Sequence, residues 1–207
     1  PFTPPPEIWR NFNHSRQQAE IAQLFHAPKV KHKIRLSNDS EYPLTTAPAL
    51  IFHNNRVLAQ GMITYTAVGS ESDLDITTAV DIRVKKSDTE TKRTPNAVTW
   101  HGDQYGRIDL AGKITLTNFR KQPVEVEVVR HVLGNIDKVS NGGKSEMVNV
   151  FEDWTYGDAS PRPYWWSWFS WPYWWYHFNS VGRMTWSVML EPEEPVELNY
   201  TWYYYWR

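Results

Sequence analysis

Val196-Glu197-Leu198-Asn199-Tyr200-Thr201-Trp202-Tyr203-Tyr204-Tyr205-Trp206 decides the fold. In an extended chain, side chains alternate between two faces. Val196, Leu198, Tyr200, Trp202, Tyr204 and Trp206 then share one side, and the polar Glu197, Asn199 and Thr201 fall on the other. The even-numbered set is expected to be buried. Residues 183–190 alternate in the same way, and the turn-forming residues 191–195 separate the two strands.

Working outward, a period of two runs back to Lys31. In Lys31-His32-Lys33-Ile34-Arg35-Leu36, charges alternate with aliphatics, as one wet and one buried face require. Asn54-Asn55 separates residues 49–52 from 56–59, and Asn tolerates the positive φ of a tight turn, so a β-hairpin is expected there. Further strands are expected at residues 62–68, 74–85, 97–101, 107–118, 124–133 and 145–151. Helical spacing occurs at residues 15–26, where Ile21, Leu24 and Phe25 recur, Asn13 or Ser15 caps the start and Pro28 stops the run. Many short strands with almost no helix predict an all-β antiparallel β-sandwich with one short N-terminal helix. The expected organisation is an N-terminal linker and short helix over 1–30, then a β-sandwich over 31–207 with a Trp-rich insertion at about 154–180. A cut near Thr94-Pro95 is the alternative, and no internal repeat is apparent.

Composition narrows the function classes. The 22 Lys and Arg nearly balance 23 Asp and Glu, for a net charge of −1, so no global field recruits nucleic acid. No apolar run approaches the ~18 to 20 residues of a transmembrane helix. Without Cys there is neither a disulfide framework nor a thiolate metal site, and the compartment stays undecided.

A resemblance rests on two stretches. The first is Gly112-Lys113-Ile114-Thr115-Leu116-Thr117-Asn118-Phe119 followed by Gln122-Pro123-Val124-Glu125-Val126-Glu127-Val128. The second is Gly182 to Val188 with Leu190-Glu191-Pro192 and Val196-Glu197-Leu198-Asn199-Tyr200. They resemble the strand, N-x-x-x-x-P-V, strand signature and the closing hairpin of an uncharacterised C-terminal domain of mucoidy-inhibitor-type bacterial proteins. Glu193 stands where that turn usually has Gly. The resemblance implies a β-sandwich module of a larger bacterial protein and carries over no catalytic or binding residue.

The chemistry-bearing residues read mostly as structure. His14, His26, His32, His53, His101, His131 and His177 show no metal-ligand spacing, and no cofactor motif is present. His101-Gly102-Asp103 reads as a turn. Glu152, Asp153 and Asp158 offer carboxylates for Ca²⁺ or glycoside chemistry but read as a solvated loop. The mixed charges at Lys85, Lys86, Asp88, Glu90, Lys92 and Arg93 read as a solvated edge.

The informative segment is 161–178, with six Trp in 18 residues, interrupted by prolines and without clean periodicity, which reads as an irregular insertion. Trp165, Trp166, Trp168, Trp171, Tyr173, Trp174 and Trp175 form the candidate binding or packing surface. Its cover is the domain's own sheet, another polypeptide (the chain's own N-terminal region or a second copy), or a flat apolar ligand such as a sugar or a membrane interface. The expected function is a non-catalytic structural or protein-interaction module. The alternative is a carbohydrate-binding or carbohydrate-processing domain that stacks sugars on the Trp insertion.

Overall fold

The computed structural model describes residues 30–148 and 172–207. It is all-β, with antiparallel sheets and one short helix among the described residues. The expected helix at 15–26, Glu152, Asp153, Asp158, Trp165, Trp166, Trp168 and Trp171 lie outside the described residues. The chain divides between Arg83 and Val84 into two compact units.

The first unit holds β1 (Lys31–Ser37), β2 (Ala47–His53), β3 (Arg56–Ile63) and β4 (Glu71–Thr78) as two antiparallel ribbons, β1 with β4 and β2 with β3. The β2–β3 hairpin closes through Asn54 and Asn55 at φ 49° and 61°, as a two-residue primed turn demands. On the β1–β4 ribbon the outward positions are ionic: Lys31 meets Asp75, Lys33 meets Asp73 and Asp75, and Arg35 meets Asp73 and Glu71. Leu74 points inward and is buried. Gly61 brings β3 against β4, since a Cβ there would run into the Leu74 side chain. The strand expected at 62–68 ends at Ile63, and Thr66 beyond it bridges back to Leu44.

The second unit has a four-stranded sheet in the order β5-β6-β11-β8 and a three-stranded sheet in the order β7-β10-β9. Its strands are β5 (Ile82–Trp100, which enters it at Val84), β6 (Asp103–Asn118), β7 (Val124–Leu133), β8 (Asn135–Val139), β9 (Lys144–Val148), β10 (Val181–Leu190) and β11 (Pro195–Trp206). Contacts such as Trp186 on Tyr200 join the facing sides of the two sheets. Leu198, Tyr200, Trp202 and Tyr204 are buried, as the alternation in β11 requires. His101 and Gly102, at φ 50° and 85°, form the two-residue turn between β5 and β6.

Local structure differs from expectation in two stretches. Residues 85–93 are the middle of the 19-residue β5, which also runs through Thr94-Pro95, and they are not a solvated edge throughout because the Asp88 side chain is buried. The insertion is not irregular at its end, because Tyr173–Phe178 form a helix, α1, capped by Pro172 at φ −69°. Six residues are too few to display a helical period, and Pro cannot continue a helix N-terminally but fits its start.

The absence of a repeat is also corrected. Lys33-Ile34-Arg35-Leu36-Ser37-Asn38 with Pro43 in the first unit matches Lys113-Ile114-Thr115-Leu116-Thr117-Asn118 with Pro123 in the second. Asn38 is buried and its Nδ2 donates to the carbonyls of Tyr42 (2.9 Å) and Thr66 (3.0 Å), while its Oδ1 accepts from the Ser40 N–H (3.2 Å). Asn118 is buried and donates to the carbonyls of Gln122 (2.9 Å) and Leu190 (3.0 Å), while its Oδ1 accepts from the Arg120 N–H (2.9 Å).

Register extends the match through all four strands. Ile34 pairs with Leu74 as Ile114 pairs with Leu198, and Pro48 pairs with Met62 as Val128 pairs with Trp186. β1, β2, β3 and β4 thus correspond to β6, β7, β10 and β11. The first pair of strands is offset by 80 residues (Asn38 to Asn118) and the second pair by 124 (Thr66 to Leu190). The difference of 44 residues enters where the first unit has only the Asn54-Asn55 turn. That insertion carries β8, β9, the Trp-rich segment and α1. Because it divides the second copy, no single sequence period exists.

Candidate functional site

Three groupings within the second unit could carry function. The first is a buried polar network between its sheets. Arg130 of β7 reaches the Asp88 carboxylate of β5 at 3.0 Å, and both side chains are buried. Asp88 Oδ1 accepts from the Tyr200 hydroxyl (2.8 Å) and from Trp202 Nε1 (3.1 Å) of β11, and Arg130 Nε donates to the Tyr200 hydroxyl oxygen (3.0 Å). Gly112, opposite Tyr200 on β6, leaves room for the phenol ring, which a Cβ would strike. Burial pushes the Tyr200 hydroxyl up to about 12, and it lowers the Lys86 ammonium to about 8, with the nearby Arg130 charge adding to the fall. The carboxylate accepts from three donors of the protein on two strands besides its own, and so ties the two sheets together.

The second grouping is the aromatic end built on α1. Asn179 fastens α1 to β11, its Nδ2 donating to the Tyr205 carbonyl (3.1 Å) and its Oδ1 accepting from the Tyr205 N–H (2.7 Å). Of the expected surface, Trp175 is buried and Trp174 is half-buried against Tyr105 and Trp206, with ring centroids 5.1 and 5.7 Å away. Tyr173 is exposed, and it and His177 stack on the half-buried Trp100 at 6.0 and 4.8 Å. Burial of Trp175 and exposure of Tyr173 follow from their places on a helix, two positions apart and so on different sides.

The third is a shallow polar cavity of about 400 Å³ on the outer side of the four-stranded sheet, lined in part by Thr91, Arg107, Asp109, Asp137 and Thr201. Its polar groups engage one another: Arg107 donates to Asp109 and lies 3.7 Å over the Tyr203 ring, and Thr201 donates to Asp137.

The first unit presents a different kind of surface, which the sequence reading did not single out. Leu50 and Phe52 of β2 share one side of the ribbon with Val57 and Met62 of β3, because Phe52 pairs with Val57 and Pro48 with Met62. All four are exposed, as is Leu58 at the register shift beside them. Between Tyr42 and Ser70 there is no Asp, Glu or Lys, and the only basic side chains are His53 and Arg56 beside the turn. The available signal was this uncharged run of apolar residues. A hairpin apolar on both faces has only one to bury against a single neighbouring layer.

Among the described residues no group of three or more His, Asp or Glu is placed to hold a metal ion, and no helix is long and apolar enough to cross a membrane. No family model, curated protein or solved structure matches the chain.

Proposed function

We propose that the chain is a non-catalytic interaction module, and that the apolar outer face of the β2–β3 ribbon is its contact surface. One observation carries this reading: Leu50, Phe52, Val57 and Met62 form a contiguous uncharged exposed face, whereas the outward positions of the β1–β4 ribbon are an ion-pair ladder. Contiguous exposed apolar patches mark interaction surfaces. Placement of Trp175 in the interior supports the same reading, since that indole serves packing.

A surface kept for a partner is maintained at a cost in stability, and removing it is neutral or favourable. The test is a dilute-solution urea melt of Leu50→Glu with Met62→Glu. Unchanged or improved stability supports the reading. A loss of several kcal/mol would mean that the chain itself buries this face, and the reading would fall.

A second reading, carbohydrate binding, is favoured by the exposed ladder of Tyr173 and His177 on Trp100, since sugars stack on such rings. Titration with soluble oligosaccharides, read by Trp fluorescence, tests it against Tyr173→Ala.

A further inference from the structure

We propose that the polar cavity on the outer side of the four-stranded sheet binds a neutral pyranose sugar, at a site separate from the ribbon face and from the ladder on Trp100. Its volume of about 400 Å³ is in the range of small-ligand sites. The carboxylates that line it are only half used. Among the described residues, Asp109 accepts through Oδ1 alone, from Arg107 Nε (2.9 Å) and Nη2 (2.6 Å), and Asp137 through Oδ2 alone, from the Thr201 hydroxyl (3.0 Å). Further along the same side of the sheet, Lys113 and Glu197 show the ordinary outward pair, in which both carboxylate oxygens are engaged, at 3.0 and 2.9 Å. Asp109 Oδ2 and Asp137 Oδ1 are thus left for a donor from the cavity.

The backbone is shaped for this place. The β11–β8 register shifts here: Thr201 pairs with Lys138 and Trp202 with Ile136, so Asp137 is an extra residue in β8. A bulge re-aims the side chain that it carries, and bulges cluster beside binding sites. Arg107 is held from two sides, by Asp109 and by the Tyr203 ring at 3.7 Å, so it loses little freedom on meeting a ligand. Charge then selects the ligand. The lining holds two cations, Lys92 and Arg107, against two carboxylates. A charged ligand meets its own sign twice, whereas a hydroxyl donates to a carboxylate and accepts from a cation at once. An uncharged molecule with several hydroxyls on a rigid ring satisfies that set.

The whole chain, isotope-labelled, is titrated with glucose, galactose and mannose and with their methyl glycosides, and amide NMR signals are followed. The expected result is saturable shifts in the millimolar range, centred on Thr91, Arg107, Asp137 and Thr201. Binding of a methyl glycoside as well as the free sugar supports a unit within a glycan, and binding of the free sugar alone supports a soluble one. Asp137→Asn keeps one oxygen for Thr201 and loses the other, and it should weaken binding by about tenfold or more. Tyr173→Ala should leave binding unchanged, and glucuronate and glucosamine should bind more weakly than glucose. If Asp137→Asn fails to fold, the location of the wild-type shifts decides. Absence of saturable shifts with every sugar, or shifts centred on Trp100, Tyr173 and His177, overturns the proposal. So does a folded Asp137→Asn that binds as the wild type, or tighter binding of glucuronate or glucosamine. None of these outcomes bears on the interaction reading, which stands or falls by its own stability test.

Discussion

Glu193 occupies in the second unit the backbone position that Gly69 occupies in the first. Their φ angles are 64° and 71°, and each donates its N–H to the carbonyl of the buried asparagine of its own unit, Glu193 to Asn118 at 2.7 Å and Gly69 to Asn38 at 2.9 Å. The left-handed region suits Gly and penalises a residue with a Cβ by about 1 to 2 kcal/mol. Glu193→Gly should therefore stabilise the chain by about 0.5 to 1 kcal/mol, after allowance for the greater freedom of Gly in the unfolded state. Gly69→Ala should destabilise by a similar amount, although nothing lies near enough to clash with the new Cβ. Urea midpoints decide both, and a less stable Glu193→Gly would defeat the argument from φ.

Asn38 and Asn118 make the same three hydrogen bonds to backbone groups where the ribbons diverge. Leaving buried backbone groups unsatisfied costs about 1 to 3 kcal/mol. Asn118→Ala and Asn38→Ala should each destabilise by that order. Hydrogen exchange should localise each loss to its own unit, around Gln122 and Leu190 for the first variant and Tyr42 and Thr66 for the second. Uniform loosening by either variant would count against the two motifs acting locally.

The Asp88 carboxylate neutralises the guanidinium of Arg130 inside the second unit. Removing one partner of a buried pair leaves an uncompensated charge, a change that typically costs about 3 to 5 kcal/mol, whereas replacing both by apolar groups is often neutral. Asp88→Ala should fall in that range, and adding Arg130→Met should recover the part due to the uncompensated guanidinium, while the Tyr200 hydroxyl and the Trp202 N–H still lack their acceptor. A double variant as unstable as the single one would show that the pair contributes more than mutual neutralisation.

These relationships mark the limit of what the sequence displays. Alternation in β11 is legible because its inward residues are all large and apolar. The hairpin at Asn54-Asn55 is legible because few residues adopt positive φ there. β5 is not, because Lys86 and Asp88 carry charge on the inward period and hide a strand as a polar run. The available clue was remote: Arg130 interrupts an apolar series at Val124, Val126, Val128 and Val132, and an inward Arg calls for a carboxylate. The repeat was hidden by the insertion, which makes one offset 80 and the other 124. The exposed ribbon face was overlooked because apolar residues in a strand ordinarily signal burial, and only the packing shows which of two apolar faces the unit covers.

Stability depends on pH through two groups beside the Asp88–Arg130 pair, Lys86 and Tyr200. Lys86, ordinarily near 10.5, is lowered to about 8, first by burial and then by the Arg130 charge, with Asp88 opposing. Below pH 8 the ammonium is present in both folded and unfolded chains and the folded state bears its full desolvation cost. Between about 8 and 10.5 only the unfolded chain keeps the proton, so stability rises with pH. Tyr200 acts in the opposite sense. Burial raises it from 10.0 to about 12, so above pH 10 the unfolded chain ionises first and stability falls as pH climbs towards 12. Every other ionisable group is common to the wild type and a Lys86→Met variant and cancels in the difference. That variant should be more stable than the wild type at pH 7, with the advantage shrinking from pH 8 and gone near 10.5. Urea midpoints of the two proteins across this range supply the measurement. A difference that stays constant with pH, or a Lys86→Met chain weaker at pH 7, would show that the ammonium is not held at a cost.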